Sequence, residues 1–168
     1  AVLFIGVRTS APLGGLGTGH AAPGPGVAKL IEPKTGRPAF VPAYRAGRAF
    51  DTAFTLHNPG RFAVEVTGLG QERGAPELQP AALFGTDSAT SSAYPDHLHQ
   101  FRRLRLERGD TAIVVVRWRL DCSRSTADVS AGSVPLRYTY LTLFTQPARV
   151  ALPFAVTLPV PGGRPPSH

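Results

Sequence analysis

The sequence contains no methionine and only one cysteine, and these shortages limit the chemistry that the chain can perform. Cys122 has no partner for a disulfide within the chain, so cysteine usage neither shows nor excludes an oxidising compartment. A Cu(I) site built on thioether sulfur is excluded because it needs methionine. Asp and Glu number only 11, and no carboxylate pair or activated nucleophile stands out. The sequence therefore predicts a protein that is not an enzyme and has no cofactor.

Positive charge is in excess, and nearly all of it is arginine. The formal net charge is +7, and lysine occurs only at positions 29 and 34, so arginine supplies 16 of the 18 cationic side chains. Together with abundant Ala, Gly and Pro, this bias is typical of a high-GC genome, where charge serves solubility first. A weak, salt-sensitive attraction to anionic polymers or headgroups stays open.

No window has the apolar period of a helix, and short alternating runs are present instead. These runs are separated by turn residues and cover 27–31, 39–44, 50–56, 62–66, 101–106, 111–122, 134–140 and 149–158. Strands at such short spacing, without intervening helices, favour antiparallel sheets over a parallel α/β sheet. The predicted fold class is all-β, an antiparallel immunoglobulin-like β-sandwich of about seven strands.

The stretch from Ala49 to Gly70 has the clearest alternation. The apolar parity is carried first by Phe50, Thr52, Phe54 and Leu56, and then by Phe62, Val64 and Val66. Asn58, Pro59 and Gly60 lie between the two runs and are typical of a chain reversal, so the stretch is predicted to form a hairpin.

Two other runs have a predicted place in a sheet. Pro42 lacks the N–H that a central strand needs, so 39–44 is predicted to lie at an edge. Residues 111–122 carry apolar side chains on both parities in their middle, which predicts a central strand covered on both faces. The polar residues 107–110, with Gly109, predict the turn before that strand.

Other segments lack the pattern of a packed domain. Residues 1–7, AVLFIGV, are interpreted as the possible end of a transmembrane or signal-anchor segment, the alternative being a first strand. Residues 8–26 predict a flexible Gly/Pro/Ala linker, and residues 159–168 predict a disordered tail. The sandwich is thereby assigned to residues 27–158. Within it, 71–100 is predicted to be a long loop and the first place to look for a binding surface.

The phrase FTLHNPGRFAVEV, residues 54–66, resembles the second and third strands of Ig-like domains of the ASH/Hydin and major-sperm-protein type. The polar turn and long strand of residues 104–116 resemble a later part of such domains. The chain is also similar to small single-pass proteins of high-GC Gram-positive bacteria that carry such a domain outside the membrane. The resemblance covers about residues 46–158. It implies a non-enzymatic structural or protein-interaction module, membrane-anchored with an extracellular domain, or secreted.

Four arginines form the candidate partner surface. Arg103 and Arg105 precede the long strand and Arg117 and Arg119 lie on it, all on the outward parity, so pairing of the two segments would create one basic face. Guanidinium groups bind carboxylate or phosphate at two points, which suits another envelope protein or an anionic surface polymer. Few aromatics accompany them, which argues against specific nucleic-acid binding. The alternative is a solvated face whose charges prevent aggregation.

A second function class rests on histidines. His97 and His99 project from one side of an extended backbone, and such pairs serve copper and zinc sites. A third ligand would have to come from His57, His20 or Asp96. The alternative function is therefore a copper- or zinc-binding envelope protein, and the competing interpretation is loop histidines in water.

Overall fold

The computed structural model describes residues 16–32, 35–42, 49–71, 78–87, 93–120, 129–140 and 144–158. The predicted anchor segment 1–7, the tail 159–168 and Cys122 lie outside these residues. No helix of the described residues is long and apolar enough to cross a membrane.

The described residues form strands and turns, and eleven strands take the place of the predicted seven or so. They are β1 Gly17–Pro23, β2 Val27–Ile31, β3 Pro38–Pro42, β4 Ala49–His57, β5 Val64–Leu69, β6 Leu78–Gly85, β7 His99–Gln100, β8 Leu104–Leu106, β9 Thr111–Leu120, β10 Val129–Tyr140 and β11 Phe144–Leu158.

Two sheets pack face to face, which confirms the predicted all-β, Ig-like sandwich. The five-stranded sheet has the order β1-β4-β9-β6-β7 and the six-stranded sheet the order β2-β3-β11-β10-β5-β8. All pairs are antiparallel except β3 with β11, where Ala39 pairs with Ala155 in parallel. β9 is the middle strand of its sheet, so the prediction of a central strand is confirmed.

The core lies between the sheets and is built from the predicted parities except at Phe62, which precedes β5 and is 38% exposed. On β4, Phe54 and Leu56 are almost fully buried, and Trp118 on β9 is 1% exposed with its indole N–H donating to Thr52 Oγ1 at 2.9 Å. β10 and β11 add the side chains Val134, Leu136, Tyr138, Tyr140, Val150, Leu152, Phe154 and Val156. Burial of this apolar surface is the main source of stability, at roughly 25 cal/mol per Å².

The predicted hairpin is wrong. β4 pairs with β1 and β9, whereas β5 pairs with β10 and β8, so residues 58–63 carry the chain from one sheet to the other. Alternation reports which face of a strand is buried, and both strands bury theirs against the common core. It carries no information on which strands are neighbours.

Asn58 organises this crossing and is only 1% exposed. Its side-chain amide donates to the carbonyls of Phe62, Leu106 and Glu107 at 2.9, 3.0 and 3.2 Å, and its Oδ1 accepts from Gly60 N at 3.0 Å. The Asn58 backbone also bonds the 107–110 turn, accepting from Gly109 N at 2.8 Å. One buried amide thus ties the end of β4 to the β8–β9 turn.

The linker prediction for 8–26 is wrong over 17–23, because β1 is an edge strand of the five-stranded sheet and Leu16 beside it is buried. Small residues here allow close packing. A Cβ on Gly19 would lie 2.6 Å from Thr55 Oγ1, and one on Gly24 would overlap the carbonyl of Asp51. The composition that suggested a flexible spacer instead lets the backbone lie against β4.

Two placements within the sheets also differ from prediction. The 71–100 stretch contains the eight-residue strand β6, which pairs with the central β9, and the short strand β7. β3 is not an edge strand, since it lies between β2 and β11. Its prolines, Pro38 and Pro42, are its first and last residues, where a missing N–H costs least.

Candidate binding surface

The outward face of the five-stranded sheet is covered by the segment around Tyr94 and Leu98. These two side chains and Phe84 pack on a small apolar cluster formed by Ala22, Ala53, Ile113 and Val115. The cluster lies on the opposite side of the sheet from the main core, and Val115 has no exposed area. This explains why β9 is apolar on both parities.

Asp51 and Arg117 hold the covering segment through a half-buried ion pair, in which the Arg117 side chain is 43% exposed. Arg117 Nε and Nη2 donate to the two carboxylate oxygens of Asp51 at 2.8 and 2.9 Å, and the Asp51 side chain is only 12% exposed. Tyr94 donates its hydroxyl to Asp51 Oδ2 at 3.1 Å. The Arg117 guanidinium also stacks 4.7 Å above the centroid of the Phe84 ring. Arg117 is therefore part of the packing of this face.

The pKa values on this face follow from these contacts. Burial, and then the negative charge of Asp51, raises the pKa of Tyr94 above its usual range. The hydrogen bond to Asp51 raises the pKa of Arg117. The phenol thus stays protonated and the guanidinium stays charged at neutral pH, which is the state that the contacts need.

The outward face of the six-stranded sheet carries polar side chains in register across its strands. Arg105 on β8 pairs with Glu65 on β5, which pairs with Thr139 on β10, which pairs with Thr145 on β11. Beside this row, Arg137 Nε donates to Thr67 Oγ1 at 3.2 Å. No described segment packs over this face as the Tyr94 segment does on the other sheet.

A groove of about 590 Å³ runs over these strands and is lined by Ala63, Val64, Glu65, Thr67, Arg103, Arg105, Thr139 and Thr145. Arg103 Nη1 lies 3.3 Å from Glu65 Oε1, and Arg105 Nε lies 2.7 Å from Glu107 Oε1. The side chains of Arg103 and Arg105 are 75% and 64% exposed. Their ion pairs are therefore solvent-screened and easily exchanged for a partner's carboxylates.

The four predicted arginines do not form one face. Arg103 and Arg105 lie with the six-stranded sheet, and Arg117 and Arg119 lie on β9 of the other sheet. Strand β8 pairs with β5 and not with β9, so the assumed pairing does not occur. The candidate anion surface is therefore reduced to Arg103 and Arg105, with Arg137 nearby through its contact with Thr67.

The histidines are placed apart. His57 Nδ1 lies 3.2 Å from the Asp110 carbonyl and 3.2 Å from Thr111 Oγ1, at the end of β4. His99 lies on the edge strand β7, where Nε2 is 3.6 Å from Asp87 Oδ1, and His97 is exposed. Among the described residues, no group of three or more His, Cys, Asp or Glu side chains could hold a metal ion. The third ligand that the metal hypothesis needs is therefore missing there.

Sequence reasoning missed Glu65, Thr139 and Arg137 as partners of the basic surface. Their outward parity was visible, but the pairing of β10 with both β5 and β11 was not. It also missed Asn58 and Tyr94, which looked like turn and loop residues. Only a long-range pairing signal would have found them, since their partners lie more than 40 positions away in the chain.

No family model and no curated protein matches the chain. Among solved structures, it is similar to the ASH / PapD-like domain of human CEP192 (PapD-like domain 7), with 13% identity, a TM-score of 0.33 and coverage of 81% of this chain and 85% of that one. That domain is of the ASH type that the sequence resembles.

The chain is also similar to a family 123 glycoside hydrolase from Clostridium perfringens, with 10% identity and a TM-score of 0.37. The alignment covers 84% of this chain and 27% of the hydrolase. Both TM-scores are below 0.5, so neither alignment bears on function.

Proposed function

We propose that the chain is a non-enzymatic binding module that holds an acidic segment of another protein on the outward face of its six-stranded sheet. One observation carries the proposal. The groove of about 590 Å³ on this face has two exposed arginines along one side, and Arg137 beside it, against Glu65 as its one acidic lining residue.

The charge of the groove favours carboxylates. Arg103 and Arg105 present planar forks that can bind a carboxylate at two points each. Their present partners, Glu65 and Glu107, form solvent-exposed ion pairs worth at most about 1 kcal/mol, so an incoming carboxylate replaces them at little cost. The net charge of +7 adds a long-range attraction that accelerates encounter with an acidic partner.

The threonine side chains along the groove also support a polypeptide partner. Thr67, Thr139 and Thr145 line the groove. Thr67 Oγ1 is bonded to Arg137 and the Thr139 and Thr145 hydroxyls lie 3.1 Å apart, so these side chains keep acceptor lone pairs and one hydroxyl donor for a peptide backbone. A segment lying over the strands could therefore combine carboxylate–arginine pairs with hydrogen bonds to threonine. An anionic polymer would use the arginines alone.

The proposal extends to display of the module on the outer side of a bacterial membrane, in contact with another envelope protein. It is supported by the apolar sequence of residues 1–7 and by the resemblance to membrane-anchored ectodomains. Fractionation of cells that produce the full-length protein tests this part. Recovery of the protein only in the cytosol would contradict it.

The binding experiment uses a fluorescein-labelled peptide of eight glutamates and fluorescence anisotropy at 50 and 200 mM NaCl. We expect saturable binding that the double substitution Arg103→Glu and Arg105→Glu weakens about tenfold or more, since it replaces attraction by repulsion. Arg119→Glu, compared with Arg105→Glu alone, is the matched control, because it makes the same single charge change at an exposed position on the other sheet. It should change the affinity less than about twofold.

Equal losses from the control and from a single Arg105→Glu substitution would contradict the proposal, since they would mean binding by net charge alone. Polyphosphate serves as the competitor. If it bound more than about tenfold tighter than the peptide, through the same arginines, an anionic polymer would replace the protein segment as the partner.

A further inference from the structure

A second concave site lies at one end of the sandwich, where the chain passes from β7 to β8. It is a crevice of about 520 Å³ between residues 99–104, the start of β9 and the end of β6. This volume falls in the range of about 300–1,000 Å³ found for small-molecule pockets. Among the residues named for the acidic-partner groove, it shares only Arg103.

One part of the crevice wall is apolar. Ala112 supplies it on β9, where Val114 is fully buried and Ile113 lies on the other side of the sheet, and Phe101 and Leu104 supply it on the crossing segment. The other lining side chains, those of Thr86, His99, Gln100, Arg102 and Arg103, are polar. Phe101 and Leu104 are only partly buried although they pack on the main core. Apolar surface is therefore left open at this end, and an apolar ligand would remove it from water.

Glycine at position 85 shapes one wall. The His99 ring lies so close to Gly85 that a Cβ at this position would overlap the ring. The imidazole therefore lies against the backbone of β6 and forms part of the lining of the crevice. Asp87 lies 3.6 Å from His99 Nε2, so this pair adds no net positive charge to the rim.

The rim is basic through two consecutive arginines. Arg102 and Arg103 both line the crevice and both are exposed. Arg103 contacts Glu65, and within the described residues no acidic side chain forms an ion pair with Arg102. A guanidinium at the mouth of an apolar crevice suits a ligand with a hydrocarbon body and one anionic end.

We infer that this crevice binds a small amphiphilic carboxylate, with its hydrocarbon body between β9 and Phe101–Leu104 and its carboxylate on Arg102 and Arg103. The crevice shares Arg103 with the acidic-partner groove and differs from it in its apolar wall and in Arg102, so the two sites are adjacent but distinct. It adds a small-molecule ligand to a module that the groove alone would limit to a macromolecular partner.

The test uses the full chain and titrates it with octanoate, followed by isothermal calorimetry and by backbone amide shifts. Octylammonium has the same hydrocarbon body with the opposite charge, and acetate has the same head without the body. We expect octanoate to bind at least about tenfold tighter than either. The largest amide shifts should fall at Gly85, Leu104 and Ala112.

Two variants test separately the contact with the octanoate carboxylate and the space for its hydrocarbon chain. Arg102→Glu alters only an exposed side chain, so the fold is kept, and it should weaken octanoate about tenfold or more. Ala112→Phe fills the crevice and should abolish octanoate binding, with the melting temperature recorded as the folding check. Arg119→Glu is the matched charge control and should leave octanoate binding unchanged.

Equal affinities for octanoate and octylammonium would overturn the inference, as would unchanged octanoate binding in Arg102→Glu. The two sites can also be told apart. Arg105→Glu should weaken the glutamate peptide and spare octanoate, because Arg105 lines the groove and not the crevice.

Discussion

The two outward faces of the sandwich are both built from alternating strands, but one carries a packed ion pair under the Tyr94 segment and the other carries an ion pair that is open to water. On the five-stranded sheet, Asp51 and Arg117 are locked in an ion pair that Tyr94 covers. On the six-stranded sheet, Arg103 and Glu65 form a pair of the same charge types that stays open to water. Both faces therefore carry an ion pair between an arginine and an acidic residue. The less exposed pair is a structural contact, whereas the solvent-exposed pair can exchange its groups with a partner.

On the covered face, the strand positions that would normally face solvent carry apolar side chains. Ile113 and Val115 on β9 are apolar where a solvent-facing strand would be polar, and they lie under the Tyr94 segment. On β10, the corresponding positions are Arg137 and Thr139, which suit contact with water or with a polar ligand. A strand that is apolar on both parities therefore identifies the face that is already occupied.

The largest expected effect is a loss of stability, and it comes from changing Asn58, which holds the connection between the two sheets. Asn58→Ala should lower the free energy of unfolding by about 3 kcal/mol, because it removes three donated hydrogen bonds, one of them to the carbonyl of Leu106 in a buried position. Urea unfolding followed by Trp118 fluorescence measures the loss. Asn58→Asp keeps the shape and the acceptor but loses the donors, and should be at least as damaging. A loss below about 1 kcal/mol for both would show that the crossing is held by packing alone.

The next largest effect is the loss of stability when one arginine on each outward face is replaced. Arg117→Gln should cost about 1–2 kcal/mol of unfolding free energy, because it leaves the Asp51 carboxylate, 12% exposed, without its charged partner and removes the stacking on Phe84. Arg103→Gln on the open face should cost less than about 0.5 kcal/mol. Chemical unfolding of both variants under one condition gives the difference. Equal costs would remove the distinction between the two faces.

The smallest expected effect is the pH dependence of the stability that the contact between Tyr94 and Asp51 contributes. The folded pKa of Tyr94 is raised above the unfolded value of about 10, so its contribution to stability is present below pH 10 and is lost as the pH rises above it. Tyr94→Phe cannot ionise at this position and should lose less stability between pH 9 and pH 11. Thermal melts across this range measure both proteins.

Burial also raises the pKa of Tyr138, with a further contribution from Tyr140, and these residues are present in both proteins. The difference between wild type and Tyr94→Phe therefore isolates Tyr94. Parallel stability curves for the two proteins would show that the Tyr94 hydroxyl does not hold the covering segment.

Local alternation was enough to predict the all-β class and the buried parity of β4, β9, β10 and β11, but it missed β1 and β6 and placed Phe62, which is 38% exposed, on the buried parity. It correctly identified Phe54 and Leu56 on β4, and Val150 and Leu152 on β11, as core residues. The chemistry behind this success is short-range, because a period of two follows from the geometry of a single strand.

Which strands are neighbours could not be predicted in this way. Arg105 was expected beside Arg117, yet β8 and β9 belong to different sheets although only a four-residue turn separates them. β1 was hidden because its close approach to β4 needs Gly19 and Gly24, residues that also signal flexible linkers. In both cases the deciding contacts join residues far apart in sequence.

The parallel pairing of Ala39 with Ala155 has a consequence for biosynthesis. Among the described strands, β2 pairs with β3 alone and β3 pairs with β2 and β11, so their sheet gives these two strands no further pairing until β11 has left the ribosome. Until then the Phe40 ring, which stacks on Phe154 at 4.2 Å in the folded protein, lacks its packing partner. Closing so long a loop is slow, and the nascent chain is exposed to aggregation during that interval. β2 and β3, which are translated before most of the other described strands, are thus among the last to complete their sheet.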